Sequence, residues 1–200
     1  MSALTDWISA AASIASAGAV IWGLRFAKDQ LSIWKTEARD RRQAEVAEEL
    51  WAAAMIAKDV LDSLRSPLEK VPQEEANNPS YIYHRRWSRM VERNDAFQNL
   101  RHAQIRAKAV LRNDAVESAV DILFSSRSAL LHSFETLAEL TSLDRKMDAD
   151  ERDLAVKHRR RIYGRGDEGE QLDQELAEAV TTLEKELGPI VRLEVIKTKR

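Results

Sequence analysis

Apolar residues recur along most of the chain at intervals of three and four, the spacing that lines them up on one face of an α-helix. Val46, Leu50, Ala53, Ala57, Val60, Leu61 and Leu64 make the first clear stripe. Trp87, Met90, Val91, Phe97, Leu100 and Ile105 make a second within 81–111, and Val116, Val120, Leu123, Phe124, Leu130, Leu131, Phe134 and Leu137 a third within 115–143. A charged helix over 150–163 follows, then a last stripe of Leu172, Leu176, Val180, Leu183 and Leu187 within 170–187. Breaks fall where helices stop: Ser66-Pro67, Asn113-Asp114, the glycines at 164, 166 and 169, and Gly188-Pro189. Asn113 or Asp114 can cap the helix that follows. Between 67 and 80, Pro72, Asn77, Asn78 and Pro79 mark the longest loop. With only 6 Gly and 4 Pro in 200 residues, the fold class is all-α, a bundle of about four helices fed by a long N-terminal helix.

The first residues follow a different rule, because 7–24 carries no charge at all. Such a run is at the short end of what crosses a hydrocarbon core of about 30 Å at about 1.5 Å per residue. Trp7 and Trp22 lie near its ends, where indoles favour the headgroup level, and Arg25 and Lys28 follow as interface anchors. Ile8, Ile14, Val20, Ile21 and Leu24 together favour insertion by about 1.5 to 3 kcal/mol, which Ser9, Ser13, Ser16, Gly18 and Gly23 erode. A marginal span is stabilised by packing, and Ala11, Ala15, Ala19 and Gly23 repeat every fourth residue as a small-residue ridge for close helix association. Lys and Arg are absent before the run, whereas Arg25, Lys28, Lys35, Arg39, Arg41 and Arg42 follow it. The positive-inside rule therefore places the N-terminus outside and the bundle in the cytoplasm, a single-pass arrangement. The rivals are a helix lying flat in the interface, which would carry Lys or Arg on its polar face where this run has none, a buried core helix, and a cleaved signal peptide, for which Ala15-Ser16-Ala17 is cleavage-like but the charged n-region is missing.

No Gly or Pro falls between Gly23 and Pro67, so the segment continues as one helix through a charged stalk into the first bundle stripe. The expected organisation is a transmembrane segment over 1–28, stalk and first bundle helix over 29–66, a loop over 67–80, the remaining bundle helices over 81–187 and a basic tail over 188–200. Membrane lipid, a second copy through the ridge, and an unidentified protein are the expected partners.

Chemistry enters as weaker signals. The formal net charge of −2 excludes a global attraction to nucleic acid, and the absence of cysteine removes disulfides, thiolate nucleophiles and Cys-based metal sites. Four histidines are present, His84, His102, His132 and His158, and no G-x-S-x-G, H-E-x-x-H, P-loop or G-x-G-x-x-G occurs. His132, Glu135 and Glu139 share a helical face, half of what a di-iron bundle would use and in reversed order. No catalytic, cofactor-binding or metal-ligating residue is assigned on these grounds, and no cofactor is expected.

Arg127 and His132 have four residues between them, a spacing that resembles the Arg-x4-6-His motif of the HEPN ribonuclease families. The resemblance implies that the arginine and histidine would polarise a scissile phosphate and assist proton transfer, often across a dimer. Ser128 stands where the family tends to have Asn, Asp or His. Arg127 also lies on the apolar stripe, between Leu123 and Leu130, so the residues themselves predict a partly buried ion pair with a carboxylate, and His132 on another face.

Two basic patches are candidates for anion binding. Arg85, Arg89 and Arg93 stand at successive turns beside Arg86 and Trp87, and Arg159, Arg160 and Arg161 cluster with Lys157, His158 and Arg165. Glu74, Glu75 and Glu92 near the first patch, and Asp167, Glu168 and Glu170 near the second, are placed to neutralise them. The pattern as a whole reads as a membrane-anchored interaction, scaffold or regulatory module without catalysis of its own. A HEPN-like ribonuclease or toxin, and an arginine-patch binder of nucleic acid or anionic lipid, are the alternatives.

Overall fold

The computed structural model describes the backbone of residues 2–143, 145–164 and 166–193, and side chains from residue 20 onward except 21 and 168. These residues form six α-helices: α1 (Ser2–Arg65), α2 (Tyr81–Glu92), α3 (Asn94–Val110), α4 (Asp114–Ser142), α5 (Ala149–Tyr163) and α6 (Gly166–Val191), with one 3-10 turn at Gln73–Glu75. Among the described residues there is no strand, so the all-α class stands. The chain divides into two compact units, 1–42 and 43–200.

In the unit over 43–200, the end of α1 contributes its predicted stripe intact. Val46, Leu50, Ala53, Ala57, Val60, Leu61 and Leu64 are all buried, joined by Ala47 and Ala54. Each fully buried aliphatic side chain removes enough apolar surface from water to stabilise the fold by about 1.5–3 kcal/mol. Helix α4 is central, packing against α2, α3, α5 and α6, which is why it buries Val116, Val120, Leu123, Leu130, Phe134 and Leu137 together. Its start is fixed by Asn113, whose side-chain oxygen accepts from the backbone N–H groups of Ala115 and Val116. That settles which of the two residues at 113 and 114 is the cap. Asp148 and Glu151 form a reciprocal capping box at the start of α5.

Two boundaries and one buried face differ from the sequence expectation. The helix expected over 81–111 is two helices, broken at Arg93 (φ −94°, ψ 19°). Apolar spacing reads straight through this break because Met90 and Phe97 are two turns apart and share a face on either side of it. The weak helix formers Asn94 and Asp95 mark it instead. The second stripe is also rotated: α2 buries Tyr83, Arg86 and Met90, while Trp87, Val91 and, on α3, Ile105 are exposed. Helix α6 runs through Gly188 and Pro189 to Val191. Proline removes one N–H, but the backbone N–H of Arg192 still reaches the Gly188 carbonyl at 3.1 Å, and Ile190 and Val191 pack against the core.

The unit over 1–42 is helical from Ser2. Val20, Trp22, Leu24, Phe26, Leu31, Ile33 and Trp34 are all exposed, and at 100° per residue they spread over about 200° of the helix, with Arg25, Lys28, Ser32 and Lys35 on the remaining face. Trp22 and Phe26 stack with ring centroids 6.1 Å apart. Among the described residues no helix is long and apolar enough to cross a membrane, so the span expected over 1–28 finds no support there. Most of that run, with Ala11, Ala15 and Ala19 of the ridge, lies outside the described side chains. Gly23 is described, and a Cβ placed on it would meet nothing within 4 Å.

Candidate functional site

The densest polar assembly lies where the end of α1, the loop 66–80, α2, the end of α5 and the start of α6 come together. Its centre is Arg86, fully buried on the same face of α2 as Tyr83 and Met90. Burying a guanidinium costs several kcal/mol unless it is paired and hydrogen-bonded, and the loop supplies the partners. Arg86 Nε donates to Glu69 Oε2 at 3.0 Å, Nη2 donates to the Ser66 carbonyl at 2.7 Å, and the guanidinium carbon lies 5.0 Å from the centroid of the Tyr163 ring. Nη1 is buried without a hydrogen-bond partner.

Glu69, with a side chain only 8 % exposed, also serves two neighbours of Arg86. Arg85 Nε lies 3.3 Å and Arg89 Nη1 3.2 Å from its Oε1, and Arg85 Nη1 donates to the Lys70 carbonyl at 3.1 Å. Three cations therefore share one carboxylate. On the far side Arg159 Nε donates to the Tyr83 hydroxyl at 3.2 Å. Burial, with Arg86 opposing it, holds the Tyr163 phenol above its ordinary pKa.

The adjoining corner between α5 and α6 is tied by Arg65, whose Nε donates to the Ile162 carbonyl at 3.2 Å and whose Nη1 pairs with Asp173. Gly164 caps α5 in the left-handed conformation (φ 63°), and a Cβ there would come within 2.7 Å of Asp173 Oδ2. Glycine is required by backbone and by space alike.

Of the first sequence patch, the structure brings Arg85 and Arg89 together on Glu69, while Arg93 is exposed at the break between α2 and α3. Of the second, Arg159 joins Tyr83, Arg160 packs beside Gly166, and Arg161 acts electrostatically on His158. Sequence reasoning missed Glu69, Arg65, Tyr83, Tyr163 and Asp173. The available signal was the Tyr83, Arg86, Met90 spacing, an apolar face interrupted by a charge that must find a carboxylate.

Arg127 and His132 engage different helices. The Arg127 guanidinium lies over the Phe97 ring at 4.8 Å and donates from Nη2 to Asn94 Oδ1 at 2.9 Å, with Nε buried and unpartnered. The expected carboxylate is replaced by an amide and a ring, a correction in line with burial alone pushing its pKa down. His132 is exposed on α4 and packs edge-on against His158 of α5, ring centroids 5.4 Å apart. The Ser133 hydroxyl donates to the Ala129 carbonyl, so the 3.0 Å contact to His158 has Nδ1–H as donor. Burial first, then Arg161, His132 and Lys157, lower the pKa of His158. No group of three or more His, Asp or Glu is placed to hold a metal ion among the described residues. Comparisons with protein-family models, with curated proteins and with solved structures return no match for this chain.

Proposed function

We propose that the chain is a membrane-anchored helical interaction or regulatory module, tethered by its N-terminal segment, with the bundle on the cytoplasmic side. The observation that carries this reading is the exposure of Trp22, Leu24, Phe26, Ile33 and Trp34 along one helix, on a broad apolar arc opposite Arg25, Lys28, Ser32 and Lys35. An exposed apolar face this wide calls for lipid or a protein partner to cover it. Here it adjoins the uncharged run 7–24, and Arg25 and Lys28 on its polar face are placed as interface anchors. The excess of Lys and Arg after the run favours an outside N-terminus. The small-residue ridge ending at Gly23 favours pairing of two such helices. A protein partner at the bundle surface completes the reading.

The test is extraction of the full chain from membranes. Retention in the pellet after alkaline carbonate, and release on deleting residues 1–28, is the expected result. A full chain that stays soluble without detergent contradicts the reading.

A further inference from the structure

We propose that Arg85 and Arg89 form a binding site for a phosphate monoester on the solvent side of Glu69, a site that stands independently of the membrane tether. Three guanidinium groups converge on the one Glu69 carboxylate. Arg86, at 0 % exposure, is desolvated and takes that carboxylate as its obligatory counter-ion. Arg85 and Arg89, 40 % and 39 % exposed, are left to share a charge already committed inward. The acidic residues that the sequence offers as neutralisers are engaged elsewhere or apart: Glu75 accepts from Asn78 at 3.0 Å, and Glu74 and Glu92 are exposed and form no ion pair among the described residues. The orphaned Nη1 of Arg86 is a second, independent sign that the assembly holds more donors than acceptors.

The two exposed cations are also oriented. Both direct a nitrogen at the same oxygen, Glu69 Oε1, and Arg85 is further fixed by the Lys70 carbonyl. Both side chains are thus held beside one oxygen while partly exposed, so an anion meets them without the entropy cost of gathering two loose side chains. A phosphate monoester carries nearly two negative charges and three acceptor oxygens at neutral pH, matching the surplus in charge and in donors. Guanidinium forks are the preferred donors for such a group. A diester, with a single charge, matches less well. The monoester belongs either to a lipid headgroup such as phosphatidic acid or to a soluble phosphorylated compound, since both present the same dianion.

The test is titration of the isotope-labelled full chain in neutral detergent with glycerol 3-phosphate, followed by NMR. Saturable shifts centred on 84–90 and the Arg85 and Arg89 side-chain N–H signals are expected, with little response to glycerophosphocholine, a diester. Arg85→Gln with Arg89→Gln should weaken binding about tenfold or more, from the loss of two charge-assisted hydrogen bonds. Arg106→Gln, which removes an ion pair with Glu49 on another face, should not. Non-saturating shifts, shifts centred elsewhere, or unchanged affinity in the double variant overturn the proposal. If the double variant fails to fold, the wild-type shift map decides alone. Phosphatidylcholine vesicles with and without phosphatidic acid distinguish the source. Extra binding with phosphatidic acid that the double variant loses assigns a lipid headgroup, and saturable soluble binding without that gain assigns a soluble phosphate.

Discussion

Leu24 and Leu50 belong to the same helix, α1, and end in opposite surroundings. Around Leu50, apolar residues recur on one face and every one of them is buried. Around Leu24, the described tryptophan, phenylalanine, leucine and isoleucine side chains spread over a broader arc, about 200°, and every one of them is exposed. Residue type does not separate the two stretches; angular distribution does. A narrow stripe can be satisfied by neighbouring helices of the same chain, whereas a broad, exposed apolar arc needs a surrounding medium or partner. The difference makes α1 two pieces, one whose apolar face is buried in the bundle and one whose described apolar side chains are exposed.

The largest effect is expected where the bundle buries charge as completely as it buries Leu50. Glu69→Ala leaves Arg86 without its counter-ion and should lower stability by about 3–5 kcal/mol, read as a fall in the urea midpoint. A loss below about 1 kcal/mol would mean that the assembly is a surface network and that burial in the bundle is selective for apolar groups.

The same substitution made in both stretches sharpens the comparison further. Leu50→Ala should cost about 2–5 kcal/mol from lost burial and the cavity left behind. Leu24→Ala should change bundle stability by no more than about 0.5 kcal/mol while reducing membrane binding. Equal effects of the two on unfolding would show that the N-terminal stretch packs against protein after all.

Much of this was readable in the sequence. The bundle stripes on α1, α4 and α6 rest on the three-and-four spacing of large apolar residues, a signal set by helix geometry alone. The break at Arg93 was not readable because burial on both sides keeps the same phase. The assembly around Arg86 was hidden for another reason: its carboxylate comes from a loop, and its rings and cations come from helices distant in sequence, Tyr163 and Arg159 on α5. No local period relates them. The pair of Arg127 with Asn94 was missed because an amide and an aromatic ring can take the place of a carboxylate beside a half-buried guanidinium.

A smaller effect is expected from His158, which α5 inserts against Ser133 of α4. Burial foremost, and the nearby Arg161, His132 and Lys157, lower its pKa in the folded protein. The neutral form is therefore favoured by folding, and the unfolded chain binds a proton more readily. Its contribution to stability is fully present above the ordinary imidazole pKa of about 6.5 and is lost as pH falls below it, at no more than about 1.4 kcal/mol per pH unit. Urea midpoints measured at decreasing pH should fall more steeply for the wild type than for His158→Gln. Parallel curves would mean that the contact between α4 and α5 does not depend on a neutral His158.

The comparison within α1 is tested most directly by letting lipid report which tryptophans it touches. Variants of the full chain retaining Trp22, Trp51 or Trp87 as the one tryptophan, mixed with phosphatidylcholine vesicles carrying brominated acyl chains, give that report by fluorescence quenching. Trp22 should be quenched, while Trp51 and Trp87 on the bundle should fluoresce as they do without bromine. Trp22 emission unaffected by the brominated lipid would contradict the division of α1 into a lipid-facing piece and a bundle-building piece.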